Sequence, residues 1–140
     1  GQVMDINLMR KELIRDEGVR NYPYKDTVGK LTIGVGRNLD DVGIHDDEAY
    51  LMLANDIQDA MRSLDKHLPW WRDLAEVRQR VLVNMCFNLG ITGLLGFKNT
   101  LAMIKTGNYT EAAAAMLNSK WAGQVGARAQ RLAEQMAKGE

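Results

Sequence analysis

The chain has a single cysteine, no excess of either charge and no long apolar run, and each absence removes a class of protein. Cys86 has no partner for an internal disulfide, and its apolar neighbours make the thiol a small buried hydrophobe, as expected of a chain that folds in a reducing cytosol. Lys+Arg and Asp+Glu both number 18, so the formal net charge is zero. That balance argues against a broad nucleic-acid footprint and against a polybasic membrane patch. Apolar runs such as Val81-Leu-Val fall far short of the roughly 20 residues that span a bilayer. The N-terminus shows no charged-then-apolar signal pattern, so no stable membrane insertion and no export address are expected. Met4 reads as a plausible native start, which would set Gly1-Gln2-Val3 apart from the natural chain. At 140 residues the chain suits one domain, or two small lobes of one fold, with a useful core.

From about Met4 to Glu17, the residues Ile6, Met9, Leu13 and Ile14 recur at three- and four-residue intervals, predicting an amphipathic helix that stops at Gly18. Glu17 continues that stripe, while Asp16 is rotated roughly 100° away from it. Tyr22-Pro-Tyr24 and Leu31-Thr-Ile-Gly-Val35 are strand-like, with Lys25 to Lys30 as their turn, so a small β-hairpin is expected. Asn38 to Gly43 reads as a loop. Asp46-Asp47-Glu48 opens a long helix with the stripe Ala49, Leu53, Ile57, Ala60 and Leu64, closed before Pro69. Beyond Trp70 only helical blocks appear, at about 74–90, 97–106, 109–118 and 127–138, separated by glycines.

The run from Asp16 to Gly36 concentrates the chemistry. Two carboxylates and a hydroxyl sit at a helix end, a turn and a strand, and glycoside hydrolysis is the reaction that most characteristically needs two carboxyl groups with different tasks. Glu17, at the edge of an apolar stripe, is expected to be partly desolvated and so suited to remain protonated as a general acid. Each residue also has an ordinary explanation: a helix-terminal Glu pairs with Arg15 or Arg20, Asp26 caps a turn, and Thr32 is a good strand residue. Gly34 and Gly36 resemble the start of a dinucleotide loop, but Leu39 stands where its third glycine belongs, so no cofactor is expected. The acids Asp40, Asp41, Asp46, Asp47 and Glu48 lack the alternating spacing of a calcium loop, and His45 and His67 lack a ligand pattern, so no metal is expected either.

The order Glu17-Gly18, Tyr24-Lys25-Asp26-Thr27, Gly29 and Thr32-Ile33-Gly34-Val35-Gly36 resembles the phage T4-type lysozymes, muramidases that include many bacteriophage endolysins. The likeness continues through Arg78, Asn84, Phe87-Asn88, Gly90, Phe97, Ser119-Lys120-Trp121, Gln124, Arg128 and Arg131. The resemblance implies an α+β, predominantly α, lysozyme-like two-lobed fold. In it, residues 19–45 would form a small β-hairpin lobe, 46–67 a linking helix, and 1–18 with 68–140 a helical lobe, all within one domain with the active cleft between the lobes.

It implies Glu17 as general acid, Asp26 as second carboxylate and Thr32 as the residue that places the hydrolytic water, with inversion at the anomeric carbon. Substrate contacts are implied for Asn84, Phe87, Asn88, Ser119, Gln124, Arg128 and Arg131; for the arginines, structural ion pairs are an equally good explanation. The expected partner is bacterial peptidoglycan, bound by a monomer. An endolysin of this type would wait in the host cytoplasm and reach the periplasmic wall once the membrane is permeabilised. A lytic transglycosylase or a non-catalytic wall-binding module are the rival readings. Arg37 stands where family members commonly carry His, and the Arg37–Ile44 loop is short.

Overall fold

The computed structural model describes all residues, Gly1–Glu140, and divides into two compact units, Gly1–Leu51 and Met52–Glu140. In the first, α1 (Ile6–Glu17) starts after Asp5, whose side chain accepts the Leu8 N–H, and ends where the Gly18 N–H donates to the Ile14 carbonyl. A cap of this kind satisfies one of the amide groups a helix leaves orphaned at its start. The predicted helix is present, but its stripe is not covered. No residue of α1 is buried, and Ile6, Leu13 and Ile14 are exposed.

The hairpin forms as β1 (Arg20–Lys25) and β2 (Leu31–Gly34), and a third antiparallel strand, β3 (Arg37–Asn38), completes a sheet of order β1-β2-β3. β3 takes only Asn38 from the expected Asn38–Gly43 loop, and residues 39–43 are turn and loop as expected. Two residues are too few for an alternating pattern to show, and the strand exists because Thr32 pairs with Asn38 and Ile33 with Arg37. Register slips between Arg20 and Tyr24 of β1, around Pro23, which has no N–H to give a ladder. Asp40 and Asp41, whose spacing gave no metal pattern, brace this sheet. Asp40 accepts the Leu31 N–H at 2.8 Å, and Asp41 pairs with Lys30 at 3.2 Å.

α2 runs Asp46–His67, the span expected, and Glu48 in its first turn reaches back to accept the His45 N–H at 2.8 Å, half of a capping box. A 3-10 turn, Trp71–Asp73, follows. The second unit then adds α3 (Glu76–Leu95), α4 (Lys98–Lys105), α5 (Tyr109–Leu117), α6 (Lys120–Val125) and α7 (Ala127–Lys138). The four predicted blocks are there. α6 was not anticipated, because six residues show no period. Gly90, at φ 73° and ψ 164°, breaks α3 where only glycine is comfortable.

The core lies in the second unit. Leu64, Trp71, Leu82, Met85, Met116 and Met136 are essentially inaccessible, each burial contributing about 1.5–3 kcal/mol before entropy is counted. Cys86 is buried among them, and that burial pushes its thiol pKa up. The Arg78 guanidinium stacks 3.5 Å from the Tyr109 ring centre and donates to the Met136 and Ala137 carbonyls, fastening α3 to the end of α7. With 66% of residues helical beside one small sheet, the class is α+β and predominantly α, as expected.

Candidate active site

In the first unit the turn after β1 is built around Asp26. Its Oδ1 accepts the N–H groups of Val28 at 3.0 Å and Lys30 at 2.8 Å, and its own N–H and carbonyl bond to Lys30 and Gly29. These bonds hold the half-buried carboxylate in one orientation and leave Oδ2 without a protein partner. Thr32, at the centre of the sheet, is 3% exposed, and its Oγ1 donates to the Lys30 carbonyl at 2.9 Å. With its hydrogen committed there, the hydroxyl offers only lone pairs to anything else. Glu17 closes α1 and is exposed, so the partial desolvation expected of it is not found. Its carboxylate lies against Gly36: a methyl group built on that glycine would stand 2.9 Å from Glu17 Oε2.

A charged network joins β3 to the start of α2. Arg37 Nη1 donates to Glu48 Oε1 at 2.7 Å and to the Gly43 carbonyl at 3.1 Å. The Arg37 side chain and then the His45 N–H hold the Glu48 pKa down to about 2, and Glu48 in turn raises that of Arg37. His45, Asp47 and Glu48 place ligand atoms within 4.8 Å of one another, but Arg37 already neutralises the Glu48 charge that a cation would need.

In the second unit, the predicted contact residues separate into two groups. Asn84, Phe87, Arg128 and Arg131 line one groove of about 730 Å³. Within it, Arg128 Nε donates to Asn84 Oδ1 at 3.0 Å, while Arg131 has no protein partner. Ser119 and Asn88 are engaged elsewhere. Ser119 caps α6, accepting from the Ala122 N–H and donating to the Met116 carbonyl, and Asn88 Oδ1 accepts the Trp121 indole N–H at 2.8 Å. Gln124 is exposed and lies outside the groove.

A sequence profile of the phage lysozyme family matches residues 15–138, which takes in Glu17, Asp26, Thr32 and every groove residue on α3 and α7. The chain belongs to the phage lysozyme family. Similar proteins include the pre-baseplate central spike protein Gp5 of Enterobacteria phage T4, 28% identical over 89% of this chain but only 26% of its own length. Two probable T4-type lysozymes of Dictyostelium discoideum are similar nearly end to end. One is 28% identical, covering 87% of this chain and 89% of that protein; the other is 26% identical, covering 91% and 92%. Family and relatives together support a lysozyme-like muramidase, a glycoside hydrolase.

For a member of this family, several groove residues lie outside the sequence-based list. Glu76, Gln79, Arg80 and Val83 precede Asn84 and Phe87 on the same face of α3, and Leu132 and Gln135 extend the stripe of Arg128 and Arg131 on α7. Their spacing of three and four was the available signal. Trp71 joins the lining from below, its indole N–H held at 2.7 Å by Asp65, whose pKa is lowered by Arg72 and by that same indole.

Proposed function

We propose that this chain hydrolyses the β-1,4 bond between N-acetylmuramic acid and N-acetylglucosamine in bacterial peptidoglycan, by inversion and without a cofactor. The observation that carries the reading is the family match running through Glu17, Asp26 and Thr32. Glu17 acts as the general acid that protonates the leaving oxygen, and Asp26 is the carboxylate that draws a proton from the attacking water. The turn supports this role, since it fixes Asp26 and leaves Oδ2 unoccupied. Thr32 Oγ1, able only to accept, would orient the water by taking one of its hydrogens. Asn84, Phe87, Arg128 and Arg131 are the groups proposed to contact glycan and stem-peptide carboxylates. Asn88 and Ser119 would serve chiefly by holding Trp121 and α6 in place, and Gln124 is retained as a peripheral contact. Acting on the wall after membrane permeabilisation fits a lysis enzyme. No single helix is long and apolar enough to cross a membrane.

A second reading, a non-catalytic wall-binding module, draws on the match to one stretch of a spike protein. The deciding assay is clearing of outer-membrane-stripped cells with reducing ends counted in the product. Glu17→Gln and Asp26→Asn should each lower the rate by about 10²–10⁴-fold. Clearing by Glu17→Gln at the wild-type rate would remove the acid assignment. Wall binding by wild type without reducing ends would establish the module reading, and anhydro ends would establish a transglycosylase.

A further inference from the structure

Gly36 sits in the left-handed region at φ 66°, in the short turn between β2 and β3, and a Cβ there would meet Glu17 Oε2 at 2.9 Å, Cδ at 3.1 Å and Cγ at 3.3 Å. The backbone of this turn therefore lies against the candidate acid on one side, so that a side chain at position 36 would oblige the Glu17 carboxyl to move. The next residue, Arg37, holds the turn from behind. It pairs with Ile33 in the sheet, and its Nη1 donates to Glu48 Oε1 at 2.7 Å and to the Gly43 carbonyl at 3.1 Å. The same Glu48 oxygen accepts the His45 N–H at 2.8 Å. One guanidinium thus ties β3, the loop at Gly43 and the first turn of α2 into a single body. Both side chains are only partly exposed, 28% for Arg37 and 38% for Glu48, so the pair is less screened than the fully solvated ion pairs of this chain.

We propose that Arg37 and Glu48 are a positioning pair for the candidate acid: by fixing Gly36 they set where the Glu17 carboxyl stands, and so govern turnover rather than glycan affinity. Neither residue touches the reacting atoms. The proposal rests on the reading of Glu17 as the general acid. A general acid must lie within hydrogen-bond reach of the oxygen it protonates, and a displacement of about 1 Å from a change outside the reacting groups can cost on the order of 10²-fold in rate.

The test uses the full chain and soluble, uncrosslinked peptidoglycan strands, with kcat and KM measured well below the unfolding midpoint of every variant. Arg37→Ala and Glu48→Ala should each lower kcat by about tenfold or more, with KM within about twofold. The double variant should be no worse than either single one, because both remove the same device. Arg37→Lys and Glu48→Gln, which keep hydrogen-bonding groups at each position, should fall between wild type and the alanine variants, and they carry the test if the alanine variants do not fold.

A second readout needs no turnover. The nuclear Overhauser contact between the Glu17 γ protons and the Gly36 α protons should be present in wild type and weakened in both alanine variants, or in both conservative variants if those are used. An unchanged contact with kcat within twofold would overturn the proposal, as would a loss confined to thermal stability or singles that simply add in the double variant. Full activity in Glu17→Gln would instead sink the acid assignment, while the Glu17–Gly36 contact would still report whether the pair holds the turn.

Discussion

A carboxylate that accepts hydrogen bonds from a guanidinium and a backbone N–H resists protonation, and Glu48 is held to about 2 for that reason. Its folded value lies below the ordinary 4.5, so the stability it contributes is fully present above about 4.5 and is lost as pH falls through about 2. Glu48→Gln should therefore lower the unfolding midpoint at neutral pH, with the gap to wild type closing between those limits. Thermal unfolding across the pH series checks this, and high salt should shrink the gap at neutral pH because the pair is partly exposed. At this scale the residue types were legible in the sequence. Asp26 turned out to be both turn cap and candidate carboxylate, which the turn composition allowed. The exposure of Glu17 was not legible: helical phase assigns a face, but phase says nothing of whether that face is covered.

Among elements, α6 owes its start to Ser119, whose hydroxyl accepts the Ala122 N–H. Ser119→Ala should cost about 1 kcal/mol by losing that cap, and Ser119→Asp should recover most of it, as read from denaturant unfolding. Wall pelleting should be unchanged in both, since the side chain is committed to α6 and to the Met116 carbonyl. Loss of wall binding at unchanged stability would return Ser119 to the substrate contacts. Long elements with clear period, α2 and α7 above all, were predicted with nearly their observed ends. β3 and α6 were not, because two or six residues carry too little pattern for their formation to be read without knowing what they pair with or cap.

Across the whole molecule the two units differ in what holds them. Every buried apolar side chain belongs to the second unit, whereas Thr32 is the single buried residue of the first. A unit of this size that buries so little apolar surface has little to set against its chain entropy. Native-state amide exchange should therefore find the amides of β1–β3 opening at lower free energy than those of α3, α5 and α7. Equal protection in both would show that the first unit draws stability from something other than its own core.

By itself the sequence determined the long helices and the hairpin, which follow from local rules of apolar period, caps and turn residues. The fold class and the family came from the likeness to the T4-type lysozymes, and the family match bears the family out. Only the tertiary structure decided that Arg37 serves Glu48, that Gly36 abuts Glu17, that Asn84 meets Arg128 in a groove, that Asn88 Oδ1 holds the Trp121 indole and that Ser119 caps α6. Most of those pairs lie far apart along the chain. Which distant groups meet is chosen by packing and by the need to satisfy each polar group, and no local period encodes it.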